Sequence, residues 1–296
     1  MGPGDVLLGI PNVSEGRDPA VLDALAARFV GEDADGARLL DVHRDPDHHR
    51  AVYTLAAAPG RLADALVRGA AAAVERIDLR TERGLHPHVG AVDVAPVVHL
   101  DDARRGAACA EALTLADRLG HELALPVFLY GALAGGRTRA ELRRGGRTGL
   151  AERMRRGELR PDFGPRAPHP TAGAVLVAAR PPLVAFNVEL AAPATVEDAR
   201  RIAARIREGG AEGRPGLRAI GLPLAARGGV AQVSTNVEDH RALPLAEVVA
   251  AVARHAPVAE AELVGLAPAA AFAGFPEGLV VRGRATVEDA LAHRLR

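Results

Sequence analysis

Two hydrophobic periods alternate along the first hundred residues. DVLLGIP at 5–11 reads as a short, largely buried strand. The polar turn at Asn12, Ser14, Glu15 and Gly16 leads to Asp18 and Pro19, an N-cap followed by a first-turn proline. Val21, Leu22, Leu25 and Phe29 then repeat at helical spacing until the glycines at 31 and 36. Strands are predicted at 38–43 and 51–57 on either side of RDPDHHR, a helix at 62–77, and a strand at 89–100.

That order, β-α-β-β-α-β, is the split βαβ or ferredoxin-like unit. A helix at 101–119 and a strand at 126–130 follow it. The segment 161–173, PDFGPRAPHPTAG, has four prolines and no period, which reads as a linker. Beyond it the outline repeats: strand 174–190, helix 196–207, strands 217–225 and 230–237, helix 245–254, strand 258–266. The tail predicts a short Ala-rich helix, a strand near 279–281 and a final helix. The expectation is therefore α+β, two ferredoxin-like subdomains, 1–170 and 171–296, packed face to face across a cleft where small molecules bind.

Composition removes several chemistries. All 37 basic residues are Arg, so a Schiff-base lysine, pyridoxal phosphate chemistry and a phosphate-loop lysine are excluded. The single Cys109 can make neither an internal disulfide nor a thiolate zinc cluster, and in AACAEAL it reads as a small core residue. Trp is absent, Tyr occurs twice and 37 acids balance the arginines, which argues against a nucleic-acid surface. No apolar run reaches the roughly 18 residues of a membrane span, and the N-terminus shows neither a basic leader nor a myristoylation pattern. A cytoplasmic protein without membrane contact is expected.

The candidate chemistry lies in TERGLHPHVGAVDVAP, 81–96. His86 is held beside the φ-locked Pro87 at the mouth of a strand, with His88 and Gly90 following, as a proton-transfer group would be. Spacing alone leaves the plainer reading, loop histidines satisfied by backbone or water, in front. His43, His48 and His49 stand near Asp41, Asp45 and Asp47 at neighbouring strand ends. A proton-shuttling site and a His/Asp metal site both fit that grouping. The run 137–160 carries nine arginines against Glu141, Glu152 and Glu158, either solvated helix surface or an anion-attracting face.

A resemblance covers nearly the whole chain. PNVSEGRD (11–18), LLDV (39–42), RAVYTL (50–55), HPHVGAVDVAP (86–96), FLYG (128–131), PDFGP (161–165), LVAFNVEL (183–190), AQVSTNVED (231–239) and ELVGL (262–266) occur in order. Together they resemble glutamate formimidoyltransferase, the transferase part of formiminotransferase-cyclodeaminase. The resemblance implies two ferredoxin-like subdomains facing across a cleft, His86 as the catalytic histidine, and a homodimer. It implies that the stretch after DFG binds folate: Gly164, Pro165, Arg166, Ala167, Pro168, His169, Pro170, Thr171, Ala172 and Gly173. It thereby reverses the order of readings for His86 and turns the linker into a binding loop.

The implied reaction moves a formimino group from N-formimino-L-glutamate to N5 of tetrahydrofolate, a co-substrate, with no metal expected. Within these 296 residues no fused second helical enzyme is expected. Asp41, His43, His49, Arg50 and His88 are the substrate-pocket candidates. The family usually has Asp at His43, Asn at His49, Glu at Leu85 and Arg at His88, so these four positions bear on the donor. The rival expectations are a His/Asp metal-dependent hydrolase or amidase, and a non-catalytic folate-binding relative.

Overall fold

The computed structural model describes residues 5–31, 36–46, 48–81 and 88–293. The chain divides into two compact units, Met1–Pro181 and Pro182–Arg296.

The first unit runs β1 (Leu7–Gly9), β2 (Asn12–Val13), α1 (Pro19–Val30), β3 (Arg38–Asp45), β4 (Arg50–Ala57), α2 (Leu62–Arg76) and β5 (Val92–His99). β1 and β2 are pieces of one strand interrupted at Ile10 and Pro11, the latter lacking an N–H for the ladder. Both pieces lie antiparallel between β4 and β5, and β3 pairs antiparallel with the other side of β4. The expected ferredoxin-like unit is therefore present. Asp18 caps α1 as the sequence predicts, its Oδ1 accepting the N–H groups of Ala20 at 2.9 Å and Val21 at 3.3 Å.

The sheet then continues through α3 (Arg105–Glu122), β6 (Val127–Leu129), α4 (Arg139–Arg143), α5 (Gly146–Arg155) and β7 (Val175–Arg180). β7 inserts parallel between β5 and β6. One sheet face packs on α1, α2 and α3 through Leu25, Phe29, Leu66, Leu115, Val97 and Val177. Gly69 of α2 permits this: a Cβ there would fall 1.9 Å from the Phe29 ring, which lies 5.0 Å from that of Tyr53. On the opposite face Val94, Leu176 and Ala178 pack with Leu142 of α4 and Leu150 and Met154 of α5.

The second unit runs β8 (Val184–Leu190), α6 (Val196–Ile206), β9 (Leu217–Leu224), β10 (Val230–Val237), α7 (Leu245–Ala253), β11 (Val258–Val264), β12 (Val281–Arg282) and α8 (Val287–His293). Its sheet order is β12-β11-β8-β10-β9, again ferredoxin-like with one added strand. Thr195 and Asp198 form a capping box at the start of α6. Phe186, Val188, Ile202, Val233, Val248 and Leu263 build its core.

The segment 174–190, expected as one strand, is two. Pro181, Pro182 and Leu183 interrupt it, and its first part completes the first sheet. The units accordingly part at Pro181/Pro182, later than the boundary expected after residue 170. No helix among the described residues is long and apolar enough to cross a membrane.

Candidate active site

The stretch that follows His86 is held by backbone contacts that only glycine permits. Gly90 bridges Gly173, and a Cβ on Gly90 would lie 1.7 Å from the Ala174 carbonyl oxygen. Gly173 adopts φ +71°, and its Cβ would lie 2.2 Å from the carbonyl oxygen of Val89. Across this junction Ala91 N donates to Ala172 O at 2.9 Å and Ala174 N to Val89 O at 2.9 Å. The buried Ser14 secures the other edge: its Oγ donates to Gly90 O at 2.8 Å and its N to Ala91 O at 2.9 Å. The phrases around residues 14, 90 and 173, remote in sequence, thus form one backbone cluster.

Within the expected folate loop, 169–173 is a closed turn. His169 and Gly173 exchange backbone hydrogen bonds at 2.8 and 3.0 Å, and His169 Nδ1 accepts the N–H of Ala172 at 3.1 Å. The loop's other end is anchored at Gly164, φ +79°, where a Cβ would lie 2.2 Å from Leu125 O. Arg166 between them is exposed and has no hydrogen-bond or ion-pair partner among the described residues.

Asp41, His43, His49 and Arg50 lie on or beside the hairpin of β3 and β4. Asp41 follows a bulge in β3; burial raises its carboxyl, and the neighbouring His43 partly offsets this. At the turn, His48 Nδ1 lies 2.5 Å from Asp45 Oδ2. Burial pushes the Asp45 carboxyl up, but the hydrogen bonds from His48 outweigh it and leave it below the ordinary range. His49 stands at φ 50° with Nε2 3.2 Å from Glu15 Oε1. Gly16 makes this meeting possible, since a Cβ there would lie 2.4 Å from Asp45 O and 2.6 Å from Arg50 N. Ser14, Glu15 and Gly16 therefore join the hairpin to the 90–91 strand.

Arg50 faces a second group of charges. Burial first, and then the Arg143 guanidinium, push it down to about 10, while Asp93 and Asp45 oppose the shift. Asp93 is 1% exposed; its Oδ1 accepts Val89 N at 2.8 Å and its Oδ2 pairs with Arg143 Nη2. Arg139, one turn earlier on α4, places its guanidinium 5.8 Å from the centre of the Tyr130 ring. The arginine-rich run divides by role. Arg137 pairs with Asp162, Arg153 donates to the carbonyls of Glu141, Leu142 and Arg144, and only Arg139 and Arg143 join Arg50.

His86 and Leu85 lie outside the described residues, as does Asp47. His88, half-buried, leads directly into Val89. Among the described residues no group of three or more His, Cys, Asp or Glu side chains is placed to hold a metal. Sequence reasoning passed over Glu15, Asp93 and Tyr130. Asp93 carried a signal, an acid at the centre of the apolar run VDVAP, because a carboxylate there must be paired to be buried.

In the second unit LVAFNVEL and AQVSTNVED are the neighbouring strands β8 and β10, with Asn187 opposite Ser234 and Glu189 opposite Gln232. Asn187 Nδ2 donates to Glu262 Oε2 at 3.0 Å, and Arg282 reaches Glu189, Glu260 and Glu262. Burial raises the Glu189 carboxyl against the pull of Arg282 and Arg227.

A sequence model of the formiminotransferase domain, N-terminal subdomain, matches residues 6–180, and one of the formiminotransferase domain matches 185–277. The chain belongs to the formiminotransferase family. The glutamate formimidoyltransferase of Streptococcus pyogenes serotype M1 is 36% identical over 270 residues, covering 88% of this chain and 89% of that protein. That of Thermoplasma acidophilum is 34% identical over 274 residues, covering 88% and 87%. The formimidoyltransferase-cyclodeaminase of Sus scrofa is 38% identical over 277 residues, covering 88% of this chain and 49% of that protein. The formiminotransferase chain thus spans about half the length of the cyclodeaminase-bearing relatives it matches. The resemblance drawn from the ordered phrases is borne out.

Proposed function

We propose that this formiminotransferase moves the formimino group of N-formimino-L-glutamate to N5 of tetrahydrofolate, releasing glutamate. The observation that carries the reading is the match of both halves, in order, to the two formiminotransferase subdomains, with a glutamate formimidoyltransferase alignable over 89% of its own length.

The folate N5 lone pair attacks the formimino carbon, forming a C–N bond and a tetrahedral adduct. The N5 proton must then reach the glutamate nitrogen, whose bond to that carbon breaks. A single imidazole, His86, serves both transfers, first as base and then as acid, a contribution of about 10²–10⁴-fold. The remaining acceleration comes from holding two substrates in line. Gly164 through Gly173 is the folate loop in this reading, supported by the lacing of Ala172, Gly173 and Ala174 to 89–91, three residues beyond His86. Asp41, His43, His49, Arg50 and His88 surround the donor. A cytoplasmic homodimer is part of the same reading, tested by light scattering and fractionation.

The test is glutamate release from N-formimino-L-glutamate with and without tetrahydrofolate. Release that requires the folate is expected, and His86→Ala should abolish it while the melting temperature stays unchanged. Folate-independent release would make the chain a hydrolase and overturn the proposal.

A further inference from the structure

Two buried donors close to the candidate site are unspent. Tyr130, 6% exposed, holds its hydroxyl buried without a hydrogen-bond partner, and Arg143 does the same with Nε. A buried donor left unmade costs about 1–3 kcal/mol, so each is a liability unless a partner arrives. Arg143 and Arg139 lie near enough to act on Arg50, and Asp93 and Asp45 are among the carboxylates that oppose them. Asp93 is already shared between Arg143 and Val89 N, and Asp45 between Arg50 and His48. Three guanidiniums therefore gather at carboxylates that already serve other partners.

The local fold explains why the group assembles. Leu142 of α4 packs with Tyr130 and Val94 on one face of the sheet, which sets Arg139 by the Tyr130 ring and Arg143 on Asp93 of β5. Exposed arginines would gain little from such crowding, since salt screens them within about 10 Å. A planar oxyanion suits the place, because guanidiniums fork onto carboxylates and a phenol adds one further donor.

We propose that Arg50, Arg139 and Arg143, with the Tyr130 hydroxyl, form the corner of the site that binds a substrate carboxylate. The inference rests on the transferase reading, in which both substrates carry glutamate: the donor as its leaving group, the folate as its glutamyl tail. The corner adjoins Val89, and through it His88.

Calorimetric titration of L-glutamate, tetrahydrofolate and tetrahydropteroate, which lacks the glutamyl carboxylates, tests the corner in wild type, Arg139→Gln and Tyr130→Phe. Arg139 and Tyr130 are chosen because neither anchors Asp93, and Tyr130→Phe keeps the packed ring. Glutamate binding should weaken at least tenfold in Arg139→Gln and several-fold in Tyr130→Phe, with tetrahydropteroate unaffected. If tetrahydrofolate alone loses affinity, the carboxylate held is that of the folate tail and the corner stands. Unchanged affinity for both carboxylate ligands would overturn it. Should Arg139→Gln fail to fold, Tyr130→Phe decides alone. Because binding is read without turnover, carboxylate binding lost in the variants of a protein that transfers nothing would spare the corner and condemn the transferase reading instead.

Discussion

Asp93 accepts the backbone N–H of Val89 at 2.8 Å while its other oxygen carries the ion pair with Arg143. One buried carboxylate therefore fixes both the backbone that follows His86 and the guanidinium beside Arg50. Removing it strands a largely buried cation, which costs about 3–5 kcal/mol. Asp93→Ala is expected to lose that much in urea unfolding, and Asp93→Asn, which keeps an acceptor for Val89 N, appreciably less. Equal stability of all three proteins would show that the pairing carries no load.

The junction of residues 90 and 173 makes a sharper steric prediction. Gly90→Ala must move a backbone carbonyl that would otherwise sit 1.7 Å from the new carbon, and Gly173→Ala adds a φ of +71° to a similar clash. Each should destabilise by about 3 kcal/mol or more. Gly106→Ala, on the exposed face of α3 with nothing within 4 Å, is the control and should stabilise by up to about 1 kcal/mol. Thermal melts of the three variants decide.

Both ferredoxin-like units were legible because period-2 and period-3.6 apolar patterns alternate cleanly between good caps, Asp18 and Pro19 above all. Strand β7 was not, because its Val, Ala and Leu run on into β8 with the same composition, and only Pro181-Pro182 marks the break. Which arginines of 137–160 matter was also hidden. Arg139, Arg143 and Arg153 look alike in sequence, and only packing of Leu142 against the sheet separates them. The pairing of His49 with Glu15 spans the chain from one turn to another and depends on the bare backbone of Gly16, which no local pattern reveals.

The folate loop separates a binding residue from a structural one. Arg166→Ala removes an exposed guanidinium without structural partners among the described residues, so tetrahydrofolate affinity should fall about tenfold or more with the melting temperature unmoved. His169→Ala removes the acceptor for Ala172 N and should lower both. Calorimetry and melting together check this, and unchanged affinity in both variants would return 164–173 to a plain connection.

Asp41 gives a pH signature. Burial raises its carboxyl in the folded chain, so its ionised form opposes folding near neutrality, and that opposition fades as pH falls through the raised value. Asp41→Asn should therefore be more stable than wild type at pH 7, and the difference should shrink on acidification. A gap that widens in acid would mean that Asp41 is stabilised as an anion.

Transfer itself can be followed by NMR with N-([¹³C]formimino)-L-glutamate and tetrahydrofolate. Folate-dependent transfer requires the labelled carbon to appear on N5 of the folate, one equivalent per glutamate released, with His86→Ala leaving the label on the donor. Label recovered as free formamide or formate, or transferred equally well by His86→Ala, would contradict it.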